Sequence, residues 1–464
     1  MDSGEMKERG VELDREYERS GLGDVRRQSR LKAVARALQA DPAASLPRAM
    51  KTDAALEAAY RLLRNDAVSM DGILAGHYGE TAERAASESL VLAVHDTTDF
   101  EFSGETTRDG LGPLRGSGQG FFAHFTLMVA PGELRRPLGV IAVQTRVRTK
   151  ARGKGPKSIG PVGEAARWKK GVRLAEERIE GRTALLHVMD REGDSYELWA
   201  ELMAAGQRFV IRNGRKRLLS EGIELSDVMA SAKTVVEREV KLSRRRQETI
   251  SFNRKRHPAR AGRIARLAIS AQTLEIPRAT HCAKTLPDKL VINFVHVHEI
   301  GTQEKEPPVD WLLATTEPIA TAQDIERVVD FYRSRWVIEE YFKSLKTGCA
   351  YEKRQLESEH TLFNLLAILV PVAWRLLLLR SLARDHADAP ATEALTPTQI
   401  QVLAATSHRK LSSDPTVREA LLAVAGLGGH IKNNGEPGWA VIGRGFEELL
   451  LLERGWNAAK RSDQ

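Results

Sequence analysis

The chain has 464 residues, which at about 150 residues per domain suggests roughly three domains rather than one compact core. Hydrophobic residues make up 42% and charged residues 28%, as is ordinary for a soluble globular protein, and two cysteines without a CxxC pair argue against a disulfide framework or a cysteine-type zinc site. Lysine and arginine number 70 against 62 acidic residues, a formal net charge of +8. Such an excess favours binding of a polyanionic partner only where the basic residues cluster. They cluster at 26–30, 148–157, 244–246 and 254–256.

The first 75 residues show helical patterns. The N-terminal stretch is charged and has no apolar core, so we do not expect a signal peptide, and the cysteine usage fits a reducing cytoplasm. Asp24 is placed to cap a helix that has apolar residues on one face and arginines on the other, and a second helical pattern closes at Asn65. A small helical bundle with an arginine-rich face often binds DNA, although a basic surface helix is the alternative.

From Leu90 the hydrophobic period becomes that of strands. The run 90–94 predicts a buried strand that ends at Asp96, and 121–130 and 137–148 predict two further strands. We expect these three successive strands to be antiparallel. A helix near 163–180, a strand at 183–189 that ends at Asp190, a helix and a strand at 208–212 follow. This order is the layout of a ribonuclease-H-like α/β core. Chemistry collects at strand ends in open α/β sheets, although either aspartate alone could be a turn former.

Residues 214–310 predict a β-rich insertion, after which Trp311 re-enters the core on an apolar strand. The next stretch, 330–348, reads as one amphipathic helix. At about 100° per residue, its polar side spans roughly 80° and consists of Tyr332, Arg335, Glu339, Lys343 and Lys346. A carboxylate among cations and a phenol suits phosphodiester chemistry, whereas a solvated face with a Glu339–Lys343 ion pair is the alternative.

The most apolar run, 362–379, is interrupted by polar residues and predicts a buried helix rather than a transmembrane one. The C-terminal part from about 386 is again helical. There Phe446, Leu449 and Leu450 stand at helical spacing, which indicates core packing or, as the alternative, a contact between subunits.

Asp96, Asp190 and the motif Tyr332-x2-Arg335-x3-Glu339-x6-Lys346 resemble, in this order, the bacterial DDE transposases of the insertion-sequence-four and transposon-five type with a Tyr-Arg-Glu-Lys signature. The stretches LGDVRRQSRL, VHDTTDF, VMDREGDSYEL, DWLLATTEP and YRSRWVIEEYFKSLKTG also carry the resemblance. It implies five segments: a helical domain for DNA ends (1–75), a ribonuclease-H-like catalytic core (76–213), a β-strand insertion (214–310), the second part of the core with the Glu339 helix (311–385) and a helical dimerisation domain (386–464).

The resemblance also implies a function. Asp96, Asp190 and Glu339 would be the catalytic residues and would hold two Mg²⁺ ions, with Mn²⁺ able to substitute. The enzyme would bind the inverted terminal repeats of its element, cut them through a hairpin intermediate and join the 3′-OH ends to target DNA as a homodimer on paired ends. The residues that would contact double-stranded DNA are Arg26, Arg27, Arg30, Tyr60, Arg61, Arg212, Trp311, Tyr332, Arg335, Trp336, Lys343 and Lys346.

Two other functions remain open from the residues. One is a ribonuclease-H-like, metal-dependent nuclease that cuts DNA without strand transfer, which would need neither a stacking Trp311 nor a dimer of ends. The other is a DNA-binding regulator without catalysis, against which the complete set of three acidic residues argues. In each case we expect a bacterial, cytoplasmic protein that acts on the nucleoid and does not bind a membrane.

Overall fold

The structure is a computed structural model that describes residues 13–104, 107–114, 118–132, 135–148, 166–219, 222–242, 261–301, 308–385, 387–431 and 435–462. The basic stretches 149–157, 244–246 and 254–256 lie outside these ranges. The chain forms two compact units: Met1–Ala184 with Trp336–Gln464, and Leu185–Arg335. The division into five segments is finer than this and stays a prediction.

The regular elements follow one another as a helical region, a mixed α/β core and a second helical region. The strands are β1 (Leu90–Phe102), β2 (Gly112–Pro113), β3 (Gln119–Val129), β4 (Pro137–Arg146), β5 (Ala184–Met189), β6 (Arg208–Arg212), β7 (Thr234–Leu242), β8 (Arg263–Pro277), β9 (Lys289–Ile300) and β10 (Asp310–Thr315). The α-helices are Val25–Ala40, Leu46–Met50, Asp53–Arg64, Met70–Ala86, Ala166–Ile179, Tyr196–Ala204, Leu225–Ala230, Ala322–Ser334, Trp336–Lys343, Glu359–Asp385, Pro397–Thr406, Val417–Leu427 and Trp439–Ser462. Shorter turns of 3₁₀ helix lie at Leu13–Tyr17, Tyr351–Lys353 and Ala391–Glu393, and a π-helical turn lies at Ser344–Gly348.

The N-terminal helices begin and end at the predicted residues. Asp24 caps the helix Val25–Ala40, since its carboxylate accepts the backbone N–H of Arg26 at 2.7 Å. The apolar face of this helix is buried through Leu31, Val34, Ala35 and Leu38. The helix Asp53–Arg64 is capped at Asn65. Apolar periodicity was therefore sufficient to locate this region.

The first unit has an antiparallel sheet in which β3 pairs with β1, β2 and β4. One detail of the prediction is wrong: β1 continues past Asp96 to Phe102, so Asp96 lies in the middle of a strand rather than at its end. The reason is tertiary, because the long partner β3 pairs with β1 as far as Phe102 opposite Gln119. Phe100 and Phe102, at alternate positions of the strand, are buried, and their burial stabilises the longer strand.

The second unit has a sheet in the order β5-β6-β10-β9-β8-β7. The strands β5 and β6 are parallel, and the other pairs of this series are antiparallel. The predicted β-rich insertion is present as β7, β8 and β9. Because β9 pairs with β10, the insertion continues the sheet of this unit instead of forming a separate one.

The helix Glu359–Asp385 is long and apolar enough to cross a membrane by length and composition, but 94% of its most apolar window is buried within the protein. The polar residues that interrupt the run have partners in the first unit. The Asn364 amide donates to the carbonyl oxygens of Leu63 and Val68 at 3.0 and 3.1 Å, and the Arg375 guanidinium lies over the ring of Phe446. This is the predicted core helix.

The C-terminal leucine face is part of the core of the first unit. Phe446, Leu449 and Leu450 are buried within the chain, and Glu453 accepts the Gln399 side-chain amide at 3.1 Å. Core packing therefore accounts for these three apolar residues, and a subunit contact through this helix stays a prediction. Leu451 of the same helix is exposed.

Candidate active site and nucleic-acid interface

Asp96 lies on the face of β1 that the Glu339 helix (Trp336–Lys343) covers. It is directly opposite Phe125 on β3, and opposite residues of paired strands project from the same face. The Phe125 ring lies 5.7 Å from that of Tyr341 and 5.5 Å from that of Phe342, both of which belong to the Glu339 helix. Asp96 and Glu339 are half-buried, and the Asp96 carboxylate accepts the N–H of Thr97 at 2.7 Å.

The stretch 330–348 is not one regular helix as predicted. One helix ends at Ser334, where the Arg335 N–H donates to the Tyr332 carbonyl in a 3₁₀ pattern, and the Glu339 helix begins at Trp336. After Lys343 the chain widens into the π-helical turn, closed by the Cys349 N–H on the Ser344 carbonyl at 2.8 Å. A π turn holds an extra residue. Lys346 is therefore rotated away from the polar face that a regular α-helix would share with Glu339 and Lys343.

The π-helical turn has a tertiary cause. The hydroxyl of buried Ser344 hydrogen-bonds both the Tyr341 carbonyl at 2.8 Å and the Ala373 carbonyl, on the neighbouring apolar helix, at 3.0 Å. A hydroxyl inserted between two helices in this way favours a local departure from the regular ladder. The turn directs Lys346 toward β1, where its Nζ lies 3.5 Å from Asp99 and 3.3 Å from Glu352.

Lys343 is exposed on the Glu339 helix. Its Nζ lies 2.6 Å from Glu340. Lys343 thus forms an ion pair with the residue three positions earlier, whereas the predicted alternative was a pair with Glu339, four positions earlier. Trp336 is 51% exposed and lines a shallow surface pocket together with Arg135, Arg380 and Arg384. The surface around this tryptophan is therefore rich in arginine.

In the second unit, five of the predicted site residues lie together. Asp190 directly follows β5, as predicted, and its carboxylate accepts the N–H of Glu192 at 2.8 Å. The Tyr332 ring lies 5.4 Å from that of Trp311. Burial raises the pKa of Tyr332, and Asp190 raises it further, whereas the guanidinium groups of Arg335 and Arg212 act in the opposite direction.

This group is less exposed than a solvated helix face would be. Tyr332 is 5% and Arg335 9% exposed, while Asp190, Trp311 and Arg212 are intermediate. A phenol is protonated at neutral pH, and the raised pKa of Tyr332 moves its ionisation still higher, so its hydroxyl can donate a hydrogen bond. The cluster therefore offers one carboxylate, two guanidinium groups, a phenolic donor and an aromatic platform.

The predicted DNA-binding residues of the helical region differ in their surroundings. Arg26 and Arg30 are exposed, but the Arg27 guanidinium donates to the Leu22 carbonyl at 3.1 Å and so also holds the helix start. Arg61 lies 2.7 Å from Glu57, and Tyr60 lies beneath the guanidinium of Arg64. Tyr60 and Arg61 line one surface concavity.

Two supporting networks were not found from the sequence. Behind Asp96, the Arg167 Nε donates to the Thr97 hydroxyl at 2.8 Å, and this hydroxyl meets Nδ1 of His124 at 2.9 Å. Burial, with a smaller effect of Arg167, lowers the pKa of His124 to about 3, so its ring is neutral. No local sequence pattern marks Thr97, His124 and Arg167 as a network, because they meet only when β1, β3 and the helix Ala166–Ile179 pack together.

The second network lies behind Asp190. Asp194 is fully buried and accepts the backbone N–H groups of Gly214 and Arg215 at 2.8 and 2.9 Å, and it pairs with Arg217. It thereby fixes the loop after β6 to the turn that carries Asp190. In the sequence, this network is indicated only by Asp194 as the second aspartate of DREGD. Its spacing from Asp190 does not distinguish a buried anchor from a solvated turn residue.

A triad also requires Asp190, on the second unit, to meet Asp96 and Glu339 of the first. That convergence stays a prediction. The three groups offer only carboxylate oxygens, which is the donor set that hard divalent cations such as Mg²⁺ prefer.

Comparison with known protein families finds two domains in the chain. Residues 13–68 match the family model of a transposase DNA-binding domain, and residues 172–373 match that of a transposase DDE domain. Domains of the latter kind depend on a divalent metal.

Among solved structures, the chain is similar to the piggyBac transposase in a cryo-EM structure of its synaptic complex with hairpin DNA. The identity is 11% and the TM-score 0.32, over 64% of this chain and 48% of that one, so this chain spans about half of that protein's length. A similarity of this size carries no conclusion about DNA or assembly. The two family models together cover more than half of the chain, and both describe transposases. The chain therefore carries the DNA-binding domain and the DDE domain of a transposase.

Proposed function

We propose that this protein is a cut-and-paste transposase of the insertion-sequence-four type, which cleaves the ends of its element through a hairpin and joins them to target DNA. The proposal depends most on the cluster of Asp190, Arg212, Trp311, Tyr332 and Arg335. Phosphoryl transfer needs little beyond in-line positioning and neutralisation of charge. The two guanidinium groups of this cluster would neutralise charge, and Trp311 adds an aromatic surface. It would act in the bacterial cytoplasm as a homodimer on paired inverted repeats.

The carboxylates of Asp96, Asp190 and Glu339 would hold two divalent ions, Mg²⁺ with Mn²⁺ as a substitute. When bound, such ions activate the attacking oxygen and stabilise the leaving one. A strand inside a paired sheet carries Asp96, and a packed helix carries Glu339, so these groups keep their positions during the reaction.

Arg335, Tyr332 and Lys346 would hold the DNA backbone at the cut. Arg335 and Tyr332 are already desolvated, which strengthens their interaction with a phosphate oxygen. Lys346 is paired with Asp99 and Glu352, so a phosphate would compete with carboxylates for its ammonium group. We expect it to bind DNA by exchanging these partners.

Trp311 would stack on a base that leaves the duplex when the hairpin forms. Extruding a base costs a few kcal/mol, and stacking on an aromatic ring contributes about 1–3 kcal/mol. Tyr332 contacts the Trp311 ring edge at an interplanar angle of 65°, which limits how the indole can rotate. Trp336, exposed among arginines, would assist at the same DNA end.

Asp96→Asn tests the metal site. The substrate is a duplex that ends in the short inverted repeat flanking the gene. We expect Mg²⁺-dependent nicking to fall by roughly 10³-fold or more, because several kcal/mol of charge stabilisation depend on the metal. Binding of the same duplex should change little. Glu101→Gln, at the exposed end of the same strand, is the matched control and should cut normally.

Strand transfer separates the proposal from a nuclease. A pre-cut end with a free 3′-OH is incubated with target plasmid, and joined products are counted. A transposase joins the end, whereas a nuclease only cuts. Nicking that survives in Asp96→Asn would refute the assigned metal site, and cutting without joining would refute the transposase reaction.

A further inference from the structure

Away from the DDE residues, three side chains of metal-binding type meet in the second unit. Glu197, His281 and Cys282 each offer one ligand atom, and these three atoms lie within 4.8 Å of one another. Cys282 is buried, Glu197 is intermediate and His281 is exposed, so the group opens to solvent on the histidine side. Glu197 is far from the other two in sequence, and folding alone brings them together.

Both segments that supply these groups are held independently of them. Glu197 lies in the first turn of the helix Tyr196–Ala204, whose N-cap Ser195 accepts the Leu198 N–H on its hydroxyl oxygen at 3.3 Å. His281 and Cys282 lie in the loop between β8 and β9, where Arg278 donates to two loop carbonyls, each at 3.1 Å. The Tyr196 hydroxyl donates to the Pro287 carbonyl at 2.8 Å and joins the helix to this loop.

We propose that Glu197, His281 and Cys282 form a binding site for one transition-metal ion of the zinc class, with the fourth position open to water. Bonds of about 2.0–2.3 Å from a tetrahedral ion to oxygen, nitrogen and sulfur place the ligand atoms about 3.3–3.7 Å apart. The three atoms therefore need to approach one another by at most about 1.5 Å. The exposed imidazole of His281 can make this movement by rotating its side chain.

The cluster is also stable without an ion. Burial raises the pKa of Cys282 to about 11, with Glu197 adding to the effect, so the thiol keeps its proton and donates it to the carboxylate. Burial would raise the pKa of Glu197, but the Ser195 hydroxyl, the Cys282 thiol and His281 outweigh it and lower that pKa. A bound ion would take the place of the thiol proton, which leaves to solvent.

The donor set distinguishes this site from the catalytic one. Thiolate and imidazole favour zinc or cobalt, whereas Mg²⁺ prefers oxygen ligands and keeps several waters. The ion would join the β8–β9 loop to the helix that follows the Asp190 turn, and so would stabilise the second unit. This inference does not depend on the proposed function.

Titration with Co²⁺ tests the site, because a thiolate bound to Co²⁺ gives a charge-transfer absorption band that carboxylate ligands do not give. The full chain is first freed of metal with a chelator. We expect the band to saturate at one equivalent of Co²⁺, to disappear when Zn²⁺ is added and to persist when Mg²⁺ is added. Cys282→Ser should abolish it, and His281→Ala should weaken Co²⁺ binding by more than the roughly 10–100-fold that loss of an outer-shell partner costs.

Two variants serve as controls. Cys349→Ala removes the other cysteine of the chain, which is fully buried, and His408→Ala removes an exposed histidine of the first unit. Both should keep the band, and circular dichroism confirms that each variant is folded. A missing band at stoichiometric Co²⁺ overturns the proposal. So does a band that survives Cys282→Ser, or unchanged affinity in His281→Ala, whose exposed side chain can be removed without loss of the fold.

Discussion

At the scale of single residues, Tyr332 shows how burial prepares a side chain for a polyanion. Its phenol is protonated at neutral pH, as phenols are, and burial raises its pKa further. Arg335 and Arg212 stand beside it. A neutral donor among guanidinium groups can meet a phosphate oxygen without bringing a negative charge of its own. The aromatic ring, in contact with Trp311, serves packing, so the hydroxyl and the ring have separable roles.

Tyr332→Phe separates these roles. A hydrogen bond to a charged group contributes about 1.5–3 kcal/mol, so we expect the single-turnover rate of end cleavage to fall roughly 10–100-fold while the midpoint of urea unfolding changes little. Tyr196→Phe is the matched control, since it removes a hydroxyl bonded to the Pro287 carbonyl in the same unit. It should lower stability by about 1 kcal/mol and leave the rate unchanged. An unaltered rate in Tyr332→Phe would contradict the role of the phenol.

At the scale of elements, a buried ionic network joins the 3₁₀ turn Leu13–Tyr17 to the core of the first unit. Glu16 is 1% exposed and lies 2.7 Å from the Arg84 guanidinium. His77 accepts the Val140 N–H on Nε2 at 3.0 Å, so its proton is on Nδ1, which donates to Glu16. A Cβ on Gly76 would stand 2.6 Å from the Glu16 carbonyl, so only glycine allows the helix Met70–Ala86 to approach this closely.

This network should make the protein sensitive to acid. Burial lowers the pKa of His77, and its neutral form therefore stabilises the fold above about pH 6.5, the unfolded value, and loses this effect as the pH falls below it. Burial opposes ionisation of Glu16, but Arg84 and His77 outweigh burial and lower the pKa of this carboxyl in the folded protein. The contribution of Glu16 to the free energy of unfolding is therefore complete above its pKa in the unfolded chain, and it is lost as the pH falls through its pKa in the folded protein. We expect the free energy of unfolding, measured with urea, to decrease from pH 7 to pH 4.

Glu16→Gln tests the same network at neutral pH. It leaves the Arg84 charge without its buried partner, so we expect a loss of roughly 3–5 kcal/mol in the free energy of unfolding. Asp14→Asn, on the same turn, breaks a surface pair with Arg36 and should cost at most about 1 kcal/mol. Equal effects of the two substitutions would show that burial of Glu16 does not determine its contribution.

At the scale of the whole molecule, the net charge of +8 matters through its distribution. Arg26 and Arg30 are exposed on the helix Val25–Ala40, within the region that matches a transposase DNA-binding domain. Arg36 of the same helix is instead engaged with Asp14. Exposed arginines that contact phosphates release counterions from DNA, and binding should therefore weaken steeply with salt.

Arg30→Ala and Arg36→Ala make a matched pair for this effect. If the protein makes 6–10 phosphate contacts, affinity for an end duplex should fall about 10³–10⁵-fold between 50 and 200 mM salt. We expect Arg30→Ala to reduce the slope of log affinity against log salt by about 1, and Arg36→Ala to leave it unchanged. Fluorescence anisotropy over a salt series measures both, and a slope near zero for the unmodified protein would contradict binding through these arginines.

Much of the organisation of this protein follows from local pattern in its sequence. Apolar periodicity and the Asp24 cap determine the N-terminal helices, and alternating apolar residues determine the strands, since these signals depend on neighbours along the chain. The order of Asp96, Asp190 and the Tyr332–Lys346 motif is likewise a property of the sequence, and the transposase DDE model spans Asp190 and this motif at residues 172–373. The burial of Tyr332 and Arg335 could not be read from a face that looks amphipathic.

Only the tertiary structure decided the rest, because it depends on contacts between residues that are distant in the chain. Pairing with β3 extends β1 beyond Asp96, and the Ser344 bond to the Ala373 carbonyl accompanies the π turn that directs Lys346 to β1. Burial of the C-terminal leucines within the first unit and the meeting of Glu197 with His281 and Cys282 have the same origin. Hydrogen bonding and close packing across the fold override local periodicity at these places, since an unpaired strand edge or a buried unbonded hydroxyl would cost more than a distorted helix.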